Sequence, residues 1–170
     1  LVPQVIWYKN GIKNATSNYC LGHNNSVLCM PMDAPNTTGK VDDYSNSTIK
    51  NDGTIVGAKF TNNSKIGFGA FEFDGVDDYV DTGSDSSLLI LDSITMEAWI
   101  YPTRDASNQW VVSRGDWNTG VTLGQGASNA LFTEISNQSG TFTNLLGSIL
   151  TLNNCNHIAV SWDNVSQDLN

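Results

Sequence analysis

Alternation of apolar and polar residues is the dominant pattern along this chain of 170 residues, and it is the pattern of strands with one buried face. The clearest case is Ile94 to Tyr101. Ile94, Met96, Ala98 and Ile100 fall on one side, and Thr95, Glu97, Trp99 and Tyr101 on the other. Pro102 ends the run, because it has no N–H to give to a ladder. Upstream, Phe71 and Phe73 alternate with Glu72 and Asp74 before Asp74-Gly75 turns the chain into Val76 to Thr82, which predicts a two-stranded unit. Trp110 to Gly115, Gly120 to Gly124 and Ala130 to Ile135 are further strand-like runs, and Val27 to Met32 is a short apolar one. Val5, Trp7 and Asn10-Gly11 predict a hairpin within Val2 to Thr16. No segment keeps a helical period, so the expected fold class is all-β.

Composition adds the partners. Hydrophobic residues make up 39% of the chain, enough for one packed domain with a short appendage. Eight Lys and Arg face 17 Asp and Glu, a formal net charge of -9. Such a surface repels phosphate backbones and anionic lipid, which argues against nucleic acid as a partner. Calcium, which seeks oxygen ligands, is the counter-charge it could recruit. No apolar run approaches the roughly 20 residues that span a bilayer, so no membrane insertion is expected in this segment. Leu1 does not begin a signal peptide, and an export signal would lie outside the chain.

Cys20, Cys29 and Cys155 are an odd number. Cys20 and Cys29 could close a small hairpin disulfide, or Cys29 could pack as a buried thiol in its apolar Leu-Cys-Met setting. N-x-[ST] sequons at Asn14, Asn24, Asn36, Asn46, Asn62, Asn137 and Asn164 are dense for this length, and N-linked glycans there would place the protein outside the cell or on its surface.

FDGVDDYV, a polar loop and then SITMEAWIYP resemble the signature of laminin-G-like domains in the concanavalin A-like lectin/glucanase superfamily. Asn156-His157-Ile158-Ala159-Val160-Ser161-Trp162 resembles the family's His-x-Ala-x-Ser/Thr-Trp strand. Asp43, Ser45 and Asn51-Asp52-Gly53-Thr54 keep part of its Asp-x-Ser-Gly-Asn-Gly loop. The resemblance implies an antiparallel jelly-roll sandwich over 27–170, with Val27 to Met32 as its first strand and further strands after Asn170 that this chain lacks. Residues 1–26 are expected to be a linker hairpin or the tail of a preceding module, since Trp7-Tyr8-Lys9-Asn10-Gly11 resembles the last strands of an immunoglobulin-like domain.

The resemblance also frames the candidate chemistry. Related glucanases place Glu-x-Asp-x-x-Glu on a strand, and retention needs two carboxyls about 5 Å apart. Here Glu72, Asp74 and Asp77 are interrupted by Gly75, so a turn is expected and no catalytic residue is assigned. Related domains often hold one structural calcium, and Asp33, Asp43, Asp74, Asp77 and Asp78 are the candidate ligands. Trp117, in a Gly-Asp-Trp-Asn-Thr-Gly loop, with Glu97 and Trp99 on one strand face, are the candidate glycan contacts. His157 is expected to hold a loop carbonyl, since it has no partner histidine for zinc. The expected role is a non-enzymatic extracellular module for adhesion or filament assembly, with glycans, other surface proteins or copies of itself as partners. The competing role is a carbohydrate-binding module of a secreted glycoside hydrolase.

Overall fold

A computed structural model describes residues 8–9, 12–13, 25–89, 93–106, 108–115, 120–136, 142–163 and 168–169. The chain divides into two compact units, Leu1–Leu89 and Ile90–Asn170. Both are built from antiparallel strands, and the fold class is all-β.

In the first unit, β1 (Tyr8–Lys9) pairs with β2 (Ile12–Lys13) on either side of Asn10-Gly11. A three-stranded sheet follows the order β3 (Lys40–Val41), β4 (Gly53–Val56), β7 (Tyr79–Asp81), and a two-stranded sheet joins β5 (Lys59–Thr61) to β6 (Ala70–Glu72). The two strands expected to form a hairpin around Asp74-Gly75 therefore belong to different sheets. Phe71 lies opposite Phe60, and Val80 lies opposite Ile55. The cause is the aspartates between them. Asp74 Oδ1 accepts the N–H groups of Val76 (2.8 Å) and Asp77 (3.4 Å), and Asp78 Oδ2 accepts that of Asp74 (2.8 Å). These bonds give the backbone an alternative to a ladder, and Phe73 stays exposed while Phe71 is buried.

Val27 to Met32 likewise forms no strand. Pro31 has no donor to give, and Met32 has φ 56°, far from extended backbone. This segment is held instead by Asp43. The carboxylate, 5% exposed, accepts from Cys29 N and Ser45 N at Oδ1 (2.9 Å each), and from Ser45 Oγ and Asn51 N at Oδ2 (3.1 Å each). Cys29 is disulfide-bonded, so the free-thiol alternative does not hold, and Cys155 is the free cysteine among the described residues.

In the second unit, β8 (Ser93–Ile100) pairs along its whole length with β13 (Asn156–Asp163), which also pairs with β14 (Asp168–Leu169). A four-stranded sheet follows the order β9 (Gln109–Arg114), β10 (Val121–Gln125), β11 (Ala130–Ser136), β12 (Phe142–Ile149). The facing sides of these sheets share one core of Met96, Leu123, Leu150, Ile158 and Val160, with Ile94, Ala98, Ile100, Val112, Val121 and Leu131 packed against it. Each large side chain buried there stabilises by about 1.5–3 kcal/mol relative to exposure. The alternation read at Ile94 to Ile100 is thus the buried side of β8.

Candidate functional site

Asp74, Asp77 and Asp78 are brought together with carboxylate oxygens within 4.8 Å of one another. Asp33 and Asp43 are not in this group. The four bonds Asp43 accepts fill the usual capacity of a carboxylate and hold its loop together. Asp33 Oδ1 accepts from Phe68 N at 3.0 Å, while its Oδ2 is withdrawn from solvent without a hydrogen-bond partner. As a calcium shell the Asp74 group is partial, because calcium takes six to eight oxygens. Three hard carboxylates suit that ion, with the remaining ligands left to backbone carbonyls and water. Glu72 ends β6 and Asp77 lies on the loop beyond it, so the two do not share a strand as the glucanase motif requires.

On the outer side of β8, the structure places Glu97 and Trp99 with His157 of β13. His157 Nε2 lies 3.5 Å from Glu97 Oε2, and its ring centroid is 5.1 Å from that of Trp99. The partner found at Nε2 is a carboxylate, not the loop carbonyl expected for this histidine. Trp117 lies outside the described residues, as do Asn14, Asn24, Asn137 and Asn164. Asn46 and Asn62 are exposed. Asn36 is committed: its Nδ2 donates to Asp42 Oδ1, and its Oδ1 accepts from Thr38 N, Thr38 Oγ1 and Lys40 N.

A further arrangement emerges from strand register. Trp110, Gly124, Phe132 and Leu146 are successive cross-strand partners over β9, β10, β11 and β12. They form one rung on the outer face of that sheet, since the neighbouring partners Val112, Leu123 and Thr133 point to the core side. Trp110 is 45% and Leu146 68% exposed. The Trp110 and Phe132 rings are 5.6 Å apart and tilted by 42°. Gly124 between them has no side chain, which lets the two rings meet across β10; a Cβ there would come within 2.3 Å of Gln109 O. The adjacent rung is polar: Ser113, Thr122, Glu134 and Asn144.

Sequence alternation alone places Trp110 and Val112 on the same side. The register shift between Leu123 and Gly124 inserts Val111 as an extra residue on β9 and turns Trp110 outward. The pairing register was the missing signal.

A family profile of the concanavalin A-like lectin/glucanases superfamily, laminin-G type, matches residues 74–169, more than half of the chain. The chain belongs to this family. No curated protein and no solved structure matches it significantly. Laminin-G-like domains of this superfamily are generally carbohydrate- or protein-binding, typically non-catalytic and commonly extracellular. Among the described residues no helix is long and apolar enough to cross a membrane.

Proposed function

We propose that this laminin-G-like domain is a non-enzymatic extracellular module that binds neutral glycans on the outer face of the β9–β12 sheet, in the service of adhesion or surface assembly. The apolar rung carries the proposal. An exposed aromatic ring such as that of Trp110 can pack on the C–H face of a pyranose. The polar rung beside it, two residues along β10, β11 and β12 and three along the bulged β9, about 6.6 Å away, offers hydroxyl, amide and carboxylate groups to sugar hydroxyls. From β9 to β12 the rung crosses about 14 Å at ordinary strand spacing, which suits an oligosaccharide better than one ring. Glu134 is the ionisable residue of these two rungs, so acidic saccharides are disfavoured.

Screening of neutral oligosaccharides should find a ligand whose affinity grows from mono- to trisaccharide and falls at least tenfold in Trp110→Ala with the melting temperature unchanged. Equal binding by Trp110→Ala removes this site. Loss in Trp117→Ala instead moves recognition to that loop, and loss in Glu97→Gln moves it to the face shared with Trp99 and His157. The free, exposed amides of Asn46 and Asn62 support N-glycosylation there more readily than at Asn36, whose Nδ2 is already bonded. Calcium at Asp74, Asp77 and Asp78 is a structural ion on this reading.

A further inference from the structure

The first unit holds a concavity of about 320 Å³ that none of the preceding roles uses. Its wall includes Pro31, Asp33, Asp42, Tyr44 and Phe68. The volume lies at the lower end of small-ligand sites, roughly 300–1,000 Å³. We propose that it receives the guanidinium group of an arginine side chain from a partner protein. Three observations converge on that chemistry.

The first is charge. Two carboxylates line the concavity and no Lys or Arg does, and among the described residues neither carboxylate is in an ion pair. The second is the orphaned acceptor. Asp33 Oδ2 is buried and unpartnered while Oδ1 holds Phe68 N. Leaving a carboxylate oxygen out of water without a donor is costly, and a positive charge held close to that carboxylate offsets the cost. The third is the wall. Phe68 is 77% and Tyr44 50% exposed, a large aromatic area to leave in water beside two acids. A guanidinium is planar, weakly hydrated and able both to stack on a ring and to donate to a carboxylate.

A divalent ion fits less well. Asp33 and Asp42 do not belong to a group of three close ligand residues among the described ones. Three of the five named wall residues, Pro31, Tyr44 and Phe68, are apolar or aromatic where a hard ion needs oxygens. The aromatics also argue for an organic cation over a simple salt ion.

The test titrates the intact chain, by NMR, with N-acetyl-arginine methylamide and with its neutral citrulline counterpart. The arginine compound should perturb Asp33, Phe68 and their neighbours in the millimolar range, and citrulline should not. Phe68→Ala, a change at an exposed ring, should weaken binding roughly fivefold, the scale of one exposed cation–π contact, with the melting temperature unchanged. Asp33→Asn should weaken it further. Equal binding of arginine and citrulline, no effect of Phe68→Ala, or perturbations centred on Asp74 to Asp78 would each overturn the assignment. So would displacement of the arginine compound by calcium at stoichiometric concentration, which would make Asp33 a metal ligand. None of these outcomes depends on glycan binding by the other unit.

Discussion

Each of the two units is stabilised internally by different means. The second is a pair of sheets around an apolar core in which Leu123 is fully buried and Ile158 and Val160 nearly so. The first has short strands, none longer than β4 among the described residues, and its interior is in good part polar: Asp43, Ser45 and Asn51 are buried, as are Val41, Ala70, Phe71 and Leu88. In one, non-directional burial of area carries the stability. In the other, one carboxylate with fixed donors and a disulfide at Cys29 substitute for missing strand length. A structure of the first kind tolerates similar apolar side chains, whereas one of the second kind depends on individual atoms.

Substitutions can break that contrast. Asp43→Ala should have the largest effect, on the order of 3–5 kcal/mol, because it strands buried donors. Hydrogen exchange on the intact chain should speed up in residues 25–89 and leave β8, β10, β11 and β13 protected. Equal acceleration in both regions would mean that they do not unfold separately. Leu123→Ala should cost about 3–4 kcal/mol by opening a cavity, with the opposite exchange pattern, while Leu123→Met should cost under about 1.5 kcal/mol. Reduction of the Cys29 disulfide should come next, at about 2–4 kcal/mol, again confined to the first unit. A matching loss in the second would show that its core needs the first unit in place.

The smallest effect concerns acid. Asp85 caps the turn of Ser86–Leu88, and its carboxyl is held below its ordinary value of 3.8, first by the Ser87 backbone N–H and then by the Ser87 hydroxyl. Its contribution is fully present above the unfolded value and is lost as pH falls through the lower, folded one. An NMR titration should place the Asp85 midpoint below 3.8. Ser87→Ala should leave it still lowered but less so, since only the hydroxyl bond is removed.

The contrast also separates what could be read in the sequence from what could not. At β8 and β13 the alternating pattern sorts buried from exposed residues, because a period of two is enough when both faces of a sheet are simple. Phe142 to Ile149 carries no equally clear pattern, so β12 has no comparable signal in the sequence. At Val27 to Met32 the family resemblance implies a first strand, but Pro31 and the left-handed Met32 prevent one. At Phe71 to Thr82 the alternation was real, but aspartate side chains diverted the backbone between the strands. The candidate sites show the same division. The grouping of Asp74, Asp77 and Asp78 is local and was legible. Joining Trp110 to Leu146 required three registers and a bulge, and the orphaned oxygen of Asp33 follows from an approach to Phe68, 35 residues away in sequence.

The pairing of β8 with β13 has a consequence in time. Ser93 and Asp163 face each other although 70 residues separate them, and the whole β9–β12 meander lies in the intervening chain. Contacts of such long range are reached late, because the entropy of closing the loop must be met before any pairing rewards it. The meander has mostly local contacts and can assemble first, which shortens the effective loop that β13 must close. During synthesis the ladder edge of β8 that β13 pairs with would therefore stay open until Asp163 has emerged. That interval, rather than the finished fold, is when this domain is most exposed to aggregation.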